Sequence, residues 1–292
     1  MPENEPWTVG RLLQWTADFL KDHGADSPRL DAEVLLAEAL GCRRIELYTS
    51  FDQVPGEEPR AAFRESVRRR AKGTPVAYLV GRREFYSMSF RVSPAVLIPR
   101  PETELLVVAL LDRARSRPVG EAFELADVGT GSGIIAVCAA KHLPSCRVTA
   151  IDVSPAALEI ARSNAVDHEV AKRIEFVQSD LFAAVDPARR FDFVVSNPPY
   201  VAAAELQGLA AEVKDFEPRK ALVAGQRGTE VIEALIPQAA QRLNPGGHLL
   251  IEVSPMVHDA VLSLLRRDDR FELGPTIKDL ARLPRVVQAA RK

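Results

Sequence analysis

An α/β fold is what this sequence predicts: a doubly wound, mostly parallel sheet of seven strands over residues 96–292. A small all-helical N-terminal domain (residues 1–73) and a β-hairpin connector (residues 74–95) precede it. Three observations carry the prediction. Beyond residue 96, short apolar runs alternate with helical patterns, as in a parallel sheet wrapped by helices. The first 72 residues show helical spacing only. A glycine-rich turn joins the first strand of the alternating region to its helix, with an aspartate ending the next strand, as in doubly wound sheets.

The elements follow in order. Thr8 can cap a helix whose apolar positions Leu12, Leu13, Thr16, Phe19 and Leu20 run on to Gly24. Ser27-Pro28 offers a cap and a first-turn proline for a second helix ending near Gly41. "CRRIELYTSF" and "EEPRAAFRESVRRRAK" continue the helical pattern, and Arg68-Arg69-Arg70 reads as the solvated face of a helix. Between Thr74 and Val92, "PVAYLVGRREFYSMSFRV" is rich in aromatic and β-branched residues, which predicts the hairpin. Strands are then expected at 123–128, 147–151, 174–178, 191–195 and 248–253, with two more in the tail. Helices are expected at 133–142, 154–166, 229–243 and 256–267.

Composition narrows the function classes. The net charge is -2, with 11 Lys/Arg against 13 Asp/Glu in residues 1–72 and 27 of each in the remainder. No positive field is available to gather phosphate backbones, so no direct nucleic-acid contact is expected. Cys42, Cys138 and Cys146 form neither a metal-ligand spacing nor an even disulfide framework, so no metal and reduced thiols are expected. "MPENEPW" lacks the apolar core of a signal peptide, and no apolar run approaches the roughly 18 residues of a membrane span. A cytoplasmic monomer, away from membranes, is the expectation.

Two clusters carry the chemistry. In "LADVGTGSGIIAV", Gly129, Gly131 and Gly133 lie where a strand becomes a helix, so backbone N–H groups can approach a ligand closely. Ile134 stands where a dinucleotide fingerprint wants glycine, which disfavours a pyrophosphate. Asp152, 19 residues after Gly133, can accept hydrogen bonds from two ribose hydroxyls or cap the helix at Ser154-Pro155. Asp180 can face an adenine edge or simply start a loop. A nucleoside without a pyrophosphate fits this set, and S-adenosylmethionine is such a ligand. The second cluster is "FVVSNPPYV", a strand ending in Asn197-Pro198-Pro199-Tyr200. Asn-Pro and Pro-Pro are ordinary turn punctuation. They also make a clamp for a planar NH2 group: the Asn197 carbonyl and a backbone carbonyl on the turn accept its hydrogens, prolines fix the direction of the latter, and Tyr200 lies on the flat face. Such acceptors stabilise the positive charge that builds on nitrogen as a methyl group arrives.

"DVGTGSG", "AIDVSPAAL" and "SNPPYV" together resemble the class I S-adenosylmethionine-dependent N-methyltransferases, with their Rossmann-like fold. "VLIPRPETELLV" and "EPRKAL" narrow the likeness to the bacterial peptide chain release factor glutamine N5-methyltransferases (the HemK/PrmC family), over essentially the whole chain. The resemblance implies methylation of the glutamine in the Gly-Gly-Gln loop of class I release factors. It implies cofactor binding by Gly129, Thr130, Gly131, Ser132, Gly133, Asp152, Asp180, Leu181 and Asn197. Catalysis would fall to Asn197, Pro198 and Tyr200, with the glutamine held by Asn197, Pro198, Pro199 and Tyr200. Competing readings are a methyltransferase for a ribosomal-protein glutamine or for an exocyclic amine of DNA or RNA, a non-catalytic nucleoside-binding module, and a nicotinamide dehydrogenase. The small net-acidic helical module weighs against the nucleic-acid substrate.

Overall fold

The structure, a computed structural model, describes residues 6–118 and 120–292; residues 1–5 of "MPENEPW" lie outside the described residues. The chain divides into two compact units, one reaching from the N-terminus to Arg82 together with Ala210–Phe216, the other Arg83–Leu209 with Glu217–Lys292.

The first unit is helical: α1 (Val9–Asp22), α2 (Pro28–Leu40), α3 (Glu46–Thr49), α4 (Glu57–Ala71) and α5 (Val76–Val80), joined later by α9 (Ala211–Phe216). Thr8 caps α1, its hydroxyl accepting from the Arg11 N–H at 3.2 Å. Pro28 opens α2 and Gly41 closes it at φ +63, whereas Ser27 makes no side-chain cap. Leu13, Leu20, Leu35, Leu36, Leu47 and Phe63 close the core. Arg70 departs from the solvated cluster expected at 68–70. It is buried, donating to Asp31 and to Glu212 at 2.7 Å each, so α9 is tied to α2 and α4 by one guanidinium. The expected hairpin also starts later. "VAYLV" is the helix α5, entered through Pro75 and ended by Gly81 at φ +71, because its apolar residues pack on the helical core. The strands are β1 (Arg82–Phe85) and β2 (Met88–Arg91). Tyr86 and Ser87 take φ +50 and +56 in the two-residue turn between them, the left-handed pair that a tight hairpin demands.

The second unit runs α6 (Thr103–Arg115), β3 (Phe123–Val128), α7 (Ile134–His142), β4 (Cys146–Asp152), α8 (Pro155–Asp167), β5 (Ile174–Gln178) and β6 (Phe191–Ser196). It continues with β7 (Val201–Ala202), α10 (Arg219–Leu222), β8 (Val223–Gly225), α11 (Glu230–Arg242), β9 (Leu243–Glu252), α12 (His258–Arg267), β10 (Phe271–Leu273), β11 (Ile277–Lys278) and β12 (Pro284–Arg291). The main sheet has the order β10-β12-β9-β6-β3-β4-β5, seven strands in sequence, with the short β11 added against β12 as an eighth. β5, β4, β3, β6 and β9 are mutually parallel, and β12 is antiparallel to β9. Alternate residues face opposite cores. Leu125, Val148, Phe193 and Leu250 pack under α6, α7 and α8, while Val128, Ile151, Val194 and Ile251 pack under α11 and α12. Burial on both faces explains the nearly unbroken apolar runs of these strands.

Candidate functional site

The register of the sheet builds the site. Val128, Ile151, Ser196 and Ile251 are aligned partners on β3, β4, β6 and β9. The next residues, Gly129, Asp152, Asn197 and Glu252, therefore share one carboxyl edge. β3 lies between β4 and β6, where the chain order reverses and the two flanking loops part to leave a crevice. A cavity of ≈ 390 Å³ opens there, within the size range of small-ligand sites.

The glycine turn forms its floor, and Gly129, Thr130, Gly131 and Ser132 all line it. The Gly129 and Thr130 N–H groups donate to the Ile151 carbonyl at 2.8 and 2.9 Å, pinning the turn to β4. Gly133 does not line the cavity; it sits at φ +82 with Ala161 of α8 placed 3.0 Å from where its Cβ would stand. Its lack of a side chain serves helix packing. Asp152 lines the cavity and also organises the loop: its two oxygens accept from the Gly131 and Ser154 N–H groups, each at 2.9 Å. Burial raises its proton affinity, against the N–H groups of Ser154 and Gly131 that lower it. Each carboxylate oxygen keeps capacity for a further donor such as a ribose hydroxyl. Asp180 and Leu181 also line the cavity, Leu181 at φ +47. The neighbouring Phe182 turns into the core against Phe191 instead.

Asn197 and Pro199 line the cavity, and Pro198 and Tyr200 do not. Pro198 is buried, and Tyr200 packs against the core under α11 and α12. Burial, then the Glu252 carboxyl, push the Tyr200 hydroxyl up to about 12, so the ring carries a neutral phenol. The turn is braced from beyond: Val201 of β7 pairs with Val223 of β8, and a Cβ on Gly228 would fall 2.7 Å from the Tyr200 carbonyl oxygen. The Asn197 Nδ2 donates to the Thr103 hydroxyl at 3.2 Å, a partner not foreseen from the sequence.

Several further residues escaped the sequence reading. Arg100 lines the cavity and pairs with Glu217, whose other oxygen accepts from the Ile98 N–H at 3.2 Å. The "IPRP" and "EPRK" segments are thus clamped to each other. Asp127 is fully buried, accepting from the Thr130 hydroxyl at 2.6 Å and the Ala136 N–H at 3.1 Å. Burial pushes its carboxyl up to about 7. Glu252, at the tip of β9, is buried with its Oε2 lacking a hydrogen-bond partner. Asp127 and Glu252 each show in the sequence as a carboxylate in an apolar run, "LADV" and "LLIEV". Among the described residues, no group of three His, Cys, Asp or Glu side chains is placed to hold a metal ion, and no helix is long and apolar enough to cross a membrane.

Two family models match the chain, one described as the PrmC N-terminal domain over residues 11–81 and one as the methyltransferase small domain over residues 101–213. A release factor glutamine methyltransferase of Rhodopirellula baltica is 51% identical over 283 residues, covering 97% of this chain and 96% of its own. Another, of Koribacter versatilis, is 45% identical over 280 residues, covering 96% and 97% respectively. Among solved structures, a ribosomal protein L11 methylase of Lactobacillus delbrueckii subsp. bulgaricus superposes with a TM-score of 0.50 at 23% identity, over 70% of this chain and 85% of that one; the likeness carries the fold alone.

Proposed function

The chain belongs to the release factor glutamine methyltransferases, and from that premise we propose that it methylates the side-chain amide nitrogen of the glutamine in the Gly-Gly-Gln motif of class I peptide chain release factors, using S-adenosylmethionine. The observation that supports this most is the placing of Asn197 in one cavity with the glycine turn and Asp152. The residues fit the cofactor. Asp152 offers acceptors for ribose hydroxyls, Leu181 an apolar wall for the base, and Arg100 a cation for a carboxylate.

When bound, S-adenosylmethionine supplies an electrophilic methyl group. The protein's part is orientation. A planar amide nitrogen is a poor nucleophile, and holding its NH2 in line close to attack distance supplies much of the missing reactivity. Asn197, its Nδ2 engaged by Thr103, keeps Oδ1 as an acceptor for one substrate N–H. A carbonyl of the proline turn accepts the other. Both acceptors strengthen as positive charge builds on nitrogen. Pro198 and Tyr200 act by bracing this geometry, since neither lines the cavity. The helical unit, with its 11 basic against 13 acidic residues in 1–72, recognises the body of a protein substrate and gives no basic groove for nucleic acid. The protein works as a monomer in the cytoplasm.

Incubation with methyl-labelled cofactor and, separately, a class I release factor, ribosomal protein, rRNA and DNA tests the reading. Label is expected on the release factor; label on another substrate alone overturns it.

A further inference from the structure

Three polar side chains meet at the cavity's edge: Thr103 and Asn197 line it, and Glu252 lies behind them. Thr103 and Glu252 are almost fully buried, and Asn197 joins them from the end of β6. The sheet register makes Asn197 and Glu252 neighbours, since Ser196 pairs with Ile251. The Asn197 Nδ2 donates to the Thr103 oxygen, and both side chains lie against the Glu252 carboxyl, where they hold its proton affinity down against the effect of burial. The Glu252 Oε2 itself has no hydrogen-bond partner.

We propose that Glu252, acting through Thr103, is the positioning residue that decides which end of the Asn197 amide faces the cavity. The proposal rests on the methyltransferase reading given above. An ionised carboxylate can only accept. With Glu252 ionised, the Thr103 proton is directed to it, the Thr103 oxygen is left as an acceptor, and only Nδ2 of Asn197 satisfies that oxygen and the carboxylate together. Oδ1 is thereby presented as the acceptor a substrate NH2 requires. A protonated Glu252 reverses the chain. It donates to Thr103 or to the amide, which then turns Oδ1 inward and offers Nδ2 to the cavity, where it cannot accept from the substrate nitrogen as charge builds there. Shape alone does not distinguish the two amide orientations; the carboxylate does. The charged and titratable groups facing Glu252 are Glu102 ahead of α6, Arg285 on β12 and Tyr200 beyond β6. Arg285 is shared with Asp279 at 2.8 Å and with Glu102 at 3.7 Å.

The test combines methylation kinetics on intact release factor, calorimetry of cofactor binding, and 15N NMR of the Asn197 side-chain amide in cofactor-free protein. Glu252→Gln and Thr103→Val should each lower kcat about 10- to 100-fold, with KM and cofactor affinity within about twofold of wild type. Their double variant should be no worse than the poorer single, because both break one relay. Thr103→Ser should recover about tenfold over Thr103→Val by restoring the hydroxyl. The Asn197 amide resonances should titrate with a midpoint near the value of about 7 to which burial pushes Glu252, and stay flat in Glu252→Gln. Wild-type kcat in Glu252→Gln, multiplicative losses in the double variant, or an Asn197 amide indifferent to pH would each overturn the proposal. If the wild type methylates no release factor, the functional reading fails separately, and the amide titration still decides the role of Glu252.

Discussion

Asn197 donates to the buried Thr103 hydroxyl on one side and, in the proposed reaction, presents an acceptor on the other. Asn197→Ala removes both contacts and should lower kcat on the order of 10²-fold or more, with the fold intact. Asn197→Asp keeps an acceptor but adds a charge beside Glu252, so partial activity is expected; near wild-type turnover of release factor by the Ala variant would show that the turn is only a turn. Glu252 makes a second prediction, of opposite sign for stability. Burial raises its carboxyl from 4.5 to about 7, so the folded state binds a proton that the unfolded state releases above 4.5. The stability this contributes is present at low pH and is lost as pH rises toward 7, a difference of about 3 kcal/mol. Above pH 7, Glu252→Gln should therefore denature at higher urea than wild type while turning over more slowly; a less stable variant there would contradict the assignment. Asn197 and Asp152 were legible because amides and acids at strand ends stand out beside prolines and glycines. Asp127 and Glu252 left only the signal of a carboxylate in an apolar run, and Thr103 none; the roles of all three depend on packing from distant segments.

Gly133 belongs to the scale of elements. It begins α7 at φ +82, and a Cβ would meet Ala161 of α8 at 3.0 Å. Gly133→Ala should cost about 1–3 kcal/mol through backbone strain and helix separation. Unchanged denaturation midpoints would return Gly133 to the ligand turn, where the glycine spacing had placed it. The strands β3, β4, β5, β6 and β9 could be read as apolar runs bounded by turn residues. Helix α5 could not: Val76, Tyr78 and Val80 favour strands by local propensity, and packing against the helical core overrides that preference. The two-residue β7 and three-residue β8 are too short to leave a periodic signal, yet they hold the Asn-Pro-Pro-Tyr turn.

For the whole molecule, the proposed function puts the chemistry in one compact unit and recognition of the release factor in the other. Every wall of the cavity comes from the second unit. Removing residues 1–82 should leave cofactor affinity within about twofold while raising KM for intact release factor about tenfold or more. Equal efficiency with and without them would assign the helical unit another role. The near-zero net charge was readable from composition, and with it the ground for proposing a protein substrate. The membership of Ala210–Phe216 in the helical unit was not, because it depends on Arg70 reaching Glu212 across the chain. The most direct measurement is tandem mass spectrometry of a class I release factor after incubation with the protein and S-adenosylmethionine. The mass of one methyl group is expected on the glutamine side chain of its Gly-Gly-Gln motif, and nowhere when that glutamine is replaced. An unmodified glutamine, in protein shown to bind the cofactor, would contradict the account.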